Sequence, residues 1–431
     1  MVEIFNPATA GTEGLTEFAP DSTAARKLIF YHASEGKPLA TPWQVALARS
    51  KLLTELQLPE GYILDCACGS GIQLGAHMAM LQRPGIGVEL DTKRAQASAV
   101  NLQSIVQHRN EVGTERMERT RILAADGRDG AVICAAFADT FSLETFPKIA
   151  LLHLDPARPR NSRTHGLEEM APRLDEVFKG WSPYLSDGVN GPALLLDLSP
   201  RLTHEQRLEV ESLVDEVWKG IARTWVWTSR GRGRVDRLAL WLGDAATQGI
   251  ARRFVRIPPS ITDDAHVVSG GRHLEAGDGL PAVTRHPPRR GERVSILDAA
   301  LVESGLAEDW LRTVSKEAAF SWRVVAGRRP QIHHAHPLRL DQPMDRMLVQ
   351  ATGRIVALAR IELQIDTVDQ LVELALEHDI GKLTVRVSMA PEVQPKVQGA
   401  IDRQLSRRHG RRDAFVVQQP DDEMLLLCIV E

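Results

Sequence analysis

The sequence predicts an α/β protein: a doubly wound, mostly parallel, seven-stranded sheet with helices on both faces, followed by a smaller α+β domain. Three observations lead there. Short apolar runs of strand length recur at 62–66, 85–90, 120–126, 149–155 and 193–198, each separated from the next by enough chain for a helix. Alternation of that kind builds a parallel sheet buried on both faces. Two further runs, 222–228 and 237–242, are joined by the basic turn 229–234, too brief for a crossover helix, so they pair as a hairpin or cross to a nearby slot.

Bulk properties set the frame. At 431 residues the chain exceeds one compact core, and its 43% apolar and 25% charged content is that of a globular protein. No run approaches the roughly 18 consecutive apolar residues of a membrane helix. The start has no basic n-region, and four cysteines do not make a disulfide framework, so a reducing cytoplasm is the expected location. With a net charge of −4, any nucleic-acid role depends on local basic patches. The expected organisation is a helical extension over 1–60, a ligand-binding α/β domain over 61–243, a loop-rich linker over 244–292 carrying at most a strand or two, and an α+β domain over 293–431. In that last domain helices are expected over 296–311, 367–378 and through 397–405, and strands over 355–365, 383–387, 415–417 and 424–430. No internal repeat is found.

The sharpest motif is Asp65-Cys66-Ala67-Cys68-Gly69-Ser70-Gly71, at the end of the first main strand. Gly69 and Gly71 let the backbone turn tightly and approach a ligand before a helix begins. A dinucleotide fingerprint needs a third glycine, and Leu74 stands there instead. An acidic residue before the glycines opposes phosphate but suits the ammonium of a methionine-like group. Glu89, with Leu90 beside it, falls at the tip of the second strand, where a carboxylate accepts from both hydroxyls of a ribose. Asp91 reads as a helix cap. Asp126 and Gly127 end the third strand, where a carboxylate can accept from an adenine amine. Carboxylates at three successive strand tips mark the ligand-binding edge of an open α/β sheet. After the fourth strand comes Asp155-Pro156-Ala157-Arg158: proline stiffens the loop, and Asp155 and Arg158 can orient an acceptor.

Arginine is dense on the same side. Arg160 and Arg163 follow the fourth strand, while Arg230, Arg232, Arg234 and Arg237 sit at the hairpin; together they favour a polyanion or else form solvated or salt-bridged loops. Trp225 and Trp227 read as core. The turn Arg407-Arg408-His409-Gly410-Arg411-Arg412 could contact phosphate or simply be solvated. His333, His334 and His336 lack accompanying cysteines or spaced carboxylates, so no metal site is expected.

These residues resemble class I S-adenosylmethionine-dependent methyltransferases with a C-terminal THUMP-like domain. The resemblance lies in residues 65–71, in Asp155-Pro156-Ala157-Arg158, in Leu198-Ser199-Pro200-Arg201-Leu202 and in 295–305. Five β/α units closed by a hairpin are the strand inventory of that class. Family members commonly carry arginine directly after Asp-Pro-Ala-Arg, whereas this chain has Pro159 and then Arg160. The resemblance implies S-adenosylmethionine (AdoMet) as cofactor, held by Asp65, Cys66, Gly69, Gly71, Glu89, Leu90, Asp126 and Gly127. Asp155, Pro156 and Arg158 become the catalytic loop, and Arg160, Arg163, Arg230 and Arg232 the substrate contacts. THUMP domains bind tRNA, so by analogy the resemblance implies an RNA partner, tRNA first, methylated at a nitrogen. Methylation at pyrimidine C5 needs a cysteine nucleophile near the loop, and all four cysteines read as structural. The other readings are an RNA- or partner-binding scaffold, and a methyltransferase acting on proteins or small molecules.

Overall fold

The computed structural model describes residues 2–18, 28–33, 41–109, 113–158, 166–231, 233–271, 287–317, 320–325, 328–419 and 424–431. Where helices are expected over the first sixty residues, the described residues form strands β1 (Glu3–Phe5), β2 (Thr16–Phe18) and β3 (Phe30–His32) and one helix, α1 (Trp43–Leu53). Strands of three residues offer no alternation to read. The regular alternation follows: β4 (Tyr62–Asp65), α2 (Ile72–Leu81), β5 (Gly85–Glu89), α3 (Thr92–Arg109), α4 (Thr114–Glu118), β6 (Arg121–Ala124), α5 (Gly130–Phe141), β7 (Ile149–Leu154), α6 (Leu174–Trp181), β8 (Leu194–Leu198), α7 (His204–Val217), β9 (Arg223–Ser229) and β10 (Arg237–Leu242).

The sheet has ten strands rather than seven, in the order β1-β6-β5-β4-β7-β8-β10-β9-β11-β12. Strands β6, β5, β4, β7 and β8 are mutually parallel. The hairpin closes by inserting β10 antiparallel between β8 and β9. At one edge β1 pairs antiparallel with β6. At the other edge the segment expected as linker supplies β11 (Arg252–Arg256), parallel to β9, and β12 (His266–Gly270), antiparallel to β11. Three of the five β11 residues are arginine, so their buried stems hide a core strand behind a polar composition. Helices α1, α2 and α3 cover one face and α5, α6 and α7 the other. The strands between them read as unbroken apolar runs because both of their faces are buried.

The tail begins with β13 (Arg293–Leu297), α8 (Ala299–Glu303) and α9 (Ala307–Val314). A single helix over 296–311 is therefore replaced by a strand and two short helices. Asp298 caps α8 through Ala300 N (2.9 Å), and Gly305 at φ +68 separates it from α9. The remaining elements are β14 (Ser321–Val325), β15 (Arg328–His334), α10 (Pro343–Arg346), β16 (Val349–Ala359), α11 (Val368–Glu377), β17 (Ile380–Val385), α12 (Gln394–Leu405), β18 (Arg412–Gln418) and β19 (Leu425–Val430). Their sheet runs β14-β15-β13-β16-β19-β18-β17. The strand expected over 355–365 lies several residues earlier, as β16. Among the described residues no helix is long and apolar enough to cross a membrane.

The two sheets are joined through a shared core. Leu301 of α8, Leu306 just before α9, and Trp310 and Leu311 of α9 belong to the same apolar cluster as Trp225, Trp227 and Phe254 of the large sheet. At its centre Ser229 Oγ donates to Asp298 Oδ2 (2.5 Å), with Arg256 Nε 3.7 Å from the same carboxylate. Arg252 Nη1 also donates to Ser304 O (2.9 Å). Asp298→Ala removes the cap, the acceptor of the Ser229 hydroxyl and the carboxylate beside Arg256, so a loss of about 2 kcal/mol is expected in urea denaturation. An unchanged midpoint would contradict this account of the joint.

Candidate active site

Residues 66–71 carry the chain from β4 into α2 at the carboxyl edge of the sheet. Gly69 (φ +53) and Gly71 (φ +71) occupy the left-handed region that glycine enters without strain. A Cβ on Gly71 would stand 2.3 Å from Ser98 Oγ on α3, which fixes how closely turn and helix approach. The turn is tied to β5 by Cys68 N donating to Val88 O (2.9 Å). At the tip of β5, Glu89 accepts from Gly69 N and from Asp91 N, both at 3.1 Å. Each of its oxygens keeps acceptor capacity toward the cleft that it lines. Leu90, 75% exposed, stands at the mouth, and Asp91 caps α3 through Arg94 N (2.8 Å).

Asp126, beyond β6, is paired with Arg128 (2.5 Å), and Arg128 also reaches Glu176 (3.3 Å). Hydrogen bonding from Arg128 holds the Asp126 carboxyl below its usual range. Gly127 passes so close to the turn that a Cβ would lie 2.1 Å from Cys66 O. Trp181 Nε1, from the other face, donates to Gly127 O (2.7 Å) and pins it there. Asp65, Cys66, Gly69, Glu89, Leu90, Asp126 and Gly127 all line one cleft of about 1760 Å³. Gly71 sits just behind it, against α3.

Asp155, Pro156, Ala157 and Arg158 enter the same cleft from the end of β7. The loop is held by a reciprocal backbone pair with the segment before α6: Ala157 N to Ala171 O (2.8 Å) and Ala171 N to Ala157 O (2.9 Å). Asp155 accepts no hydrogen bond from another described side chain. Burial, then the nearby Asp197 carboxylate, pushes its carboxyl up, against Arg237, His153 and Arg49. Arg158 has Nε and Nη2 buried with no hydrogen-bond partner among the described residues, and burial pulls its guanidinium down. Among the described residues, an acceptor carboxyl and a guanidinium with two unpartnered nitrogens thus lie in one loop.

Of the expected substrate arginines, Arg230 lines the cleft but is engaged by Asp236 (3.0 Å). Arg160, Arg163 and Arg232 lie outside the described residues. Arg201, Arg234 and Arg237 also line the cleft. Trp225 and Trp227 are buried, Trp225 Nε1 donating to Glu211 Oε1 (2.7 Å). All four cysteines are free and buried, and burial raises the Cys66 and Cys68 thiols well above their ordinary range. Among the described residues no His, Cys, Asp and Glu group is arranged to hold a metal.

Sequence reasoning missed the layer beneath the turn. His153, inside β7, places Nδ1 2.9 Å from Asp65 Oδ2 and Nε2 3.3 Å from Asp197 Oδ2 in β8. Arg49 of α1 forms a two-pronged pair with Asp197, with Nη1 at 2.6 Å from Oδ2, and bonds Gln73 Oε1 (3.2 Å). All four charged side chains are 3% exposed or less. Burial opposes a charged imidazole, yet the two carboxylates outweigh it and push His153 up to about 10. Both ring nitrogens therefore donate. The same partners hold Asp197 well below the usual carboxylate range, against its burial. Asp65 spends itself on this network and on Ala67 N (3.3 Å), so its first role is to anchor the turn. The signal was present: one histidine and one aspartate, each alone within an otherwise leucine-rich strand, have to find each other.

No family model matches the chain, and no curated protein matches it in sequence. Solved structures align with most or part of the chain at low identity. A putative methyltransferase from Porphyromonas gingivalis aligns over 91% of this chain and 81% of its own, at 13% identity and a TM-score of 0.49. A putative class I S-adenosylmethionine-dependent methyltransferase from Listeria monocytogenes covers 53% and 69%, at 13% identity and TM-score 0.34. A 16S rRNA N2 methyltransferase from T. thermophilus, solved with AdoMet and guanosine, covers 53% and 50%, at 16% identity and TM-score 0.32.

Proposed function

We propose that the chain is an AdoMet-dependent methyltransferase acting on RNA, with tRNA the first acceptor pool to try and a nitrogen as the methylated atom. The observation that carries the reading is the convergence of the turn 66–71, Glu89 and Asp126 on one cleft into which Asp155 and Arg158 also open. The residues fit the cofactor part by part. The glycine turn offers backbone to an amino-acid end. Glu89, held from behind by two backbone N–H groups, is the acceptor for the ribose hydroxyls. Asp126 is the acceptor for an adenine amine, and the exposed Leu90 gives an apolar side wall. When bound, AdoMet supplies a methyl group on a positively charged sulfur.

The chain itself contributes position and proton handling. Asp155 accepts the acceptor's N–H, orienting its lone pair, and its raised carboxyl can take the proton released on transfer. Arg158 donates to a neighbouring oxygen of the same substrate. Nitrogen is favoured because attack at pyrimidine C5 needs a thiolate, and the buried Cys66 and Cys68 are held as thiols. RNA is favoured by Arg158, Arg201, Arg230, Arg234 and Arg237 along the acceptor wall.

Tritiated methyl transfer from AdoMet to total RNA, protein and metabolite fractions tests this reading. Label is expected in RNA, and Asp155→Ala is expected to lower the rate about 100-fold while leaving cofactor affinity nearly unchanged. Label in protein or metabolites alone would overturn the RNA assignment. An Asp155→Ala rate equal to wild type would remove Asp155 from the reaction.

A further inference from the structure

The tail domain reaches into the cleft as well as packing against the sheet. Helix α8 places Glu303 in its wall, beside the segment Pro200–Thr203 that leads into α7. Glu303 is half-buried and makes no side-chain hydrogen bond to another described residue. Arg207 of α7, in the same wall, acts on it electrostatically, yet the described structure forms no ion pair between them. Arg207 is instead steadied by Leu202 O, to which Nη1 donates (3.1 Å), and by the Trp227 ring 6.0 Å from its guanidinium. That leaves further N–H donors on Arg207 and a whole carboxyl on Glu303. Burial pushes Glu303 up to about 7, with Arg207 opposing and Asp298 reinforcing. A half-buried acidic group with no hydrogen bond to a described residue marks a place where a ligand can complete it.

We propose that Glu303 and Arg207 form the acceptor-recognition wall of the cleft, Glu303 accepting from an N–H and Arg207 donating to a carbonyl of one nucleobase. The substrate class is then a base edge with N–H and C=O groups side by side, which adenine lacks. The tail domain thereby takes part in choosing the base delivered to Asp155. This rests on the methyltransferase reading above.

The experiment labels total RNA with tritiated AdoMet, digests it to nucleosides, and repeats the assay with Glu303→Ala and the near-isosteric Glu303→Gln. The labelled nucleoside is expected to be guanosine or uridine, whose base edges set an N–H beside a carbonyl. Glu303→Ala is expected to lower kcat/KM roughly 10- to 100-fold, mainly through KM for RNA, with Glu303→Gln between it and wild type. AdoMet affinity measured by calorimetry stays as in wild type. Should Glu303→Ala lose stability, Glu303→Gln, which keeps shape and volume, carries the comparison. Label on adenosine or cytidine, or wild-type kcat/KM in both variants, overturns the proposal and leaves the methyltransferase standing. Wild-type protein that labels no RNA overturns the RNA reading and this proposal together.

Discussion

His153→Ala is expected to destabilise the protein by about 3–5 kcal/mol, the usual range for removing one partner of a buried charge cluster. The imidazolium lies between Asp65 and Asp197, so its loss leaves two buried carboxylates balanced by Arg49 alone. Both are at most 2% exposed, so solvent compensates neither carboxylate well. The pH dependence has a definite sign. The folded value of about 10 lies above the ordinary 6.5, so the contribution of His153 is complete below 6.5 and fades as pH rises toward 10. Glu303, raised to about 7, adds its own decline between 4.5 and 7, which overlaps only the start of that window and is shared by the variant. Urea denaturation between pH 6 and pH 10 should therefore show wild-type stability falling across the range, and a flatter line for His153→Ala. A variant within about 1 kcal/mol of wild type, with an unchanged pH slope, would show that the cluster is not charged as described.

Gly127→Ala is expected to abolish cofactor binding, with at least a ~100-fold rise in Kd, and to lower stability by about 1–3 kcal/mol. Its Cβ would meet the backbone carbonyl of Cys66 at 2.1 Å, a contact that no rotamer change relieves. The chain must separate the end of β6 from the glycine turn, moving Asp126 away from Glu89 where the ligand needs both. Gly69 provides the control. It also turns through positive φ, but its Cβ would meet nothing closer than Ala67 O at 3.9 Å. Gly69→Ala thus bears only left-handed strain of about 1–2 kcal/mol and retains most of the affinity. Calorimetry with AdoMet on both variants separates close packing from backbone conformation. Equal losses in the two would show that spacing between strand tip and turn does not set affinity.

How far the sequence could be read follows from where the physics is local. Strands β4 to β8 were legible because burial on both faces writes unbroken apolar runs, and the turn 66–71 because glycine enters the left-handed angles at 69 and 71 without strain. The acidic strand tips at Glu89 and Asp126 followed from those boundaries. β11 was not legible, since Arg252, Arg253 and Arg256 are buried through aliphatic stems and interdomain hydrogen bonds that only tertiary structure supplies. The strand-and-two-helix break at 293–314 hinges on the Asp298 cap and Gly305, short signals inside a stretch whose apolar spacing mimics one helix. His153 and Asp197 are partners 44 residues apart in neighbouring strands, so neither announces its role alone. Glu303 and Arg207 become neighbours only once the tail packs on the large sheet.

The central claim is that the glycine turn and the carboxylates at successive strand tips form one site shaped for AdoMet. Calorimetric titration of the full chain with AdoMet and with S-adenosylhomocysteine tests it most directly. One molecule of each should bind per chain, and Glu89→Ala should weaken both by at least ~10-fold. No detectable heat with either compound, or wild-type affinity in Glu89→Ala, would contradict it.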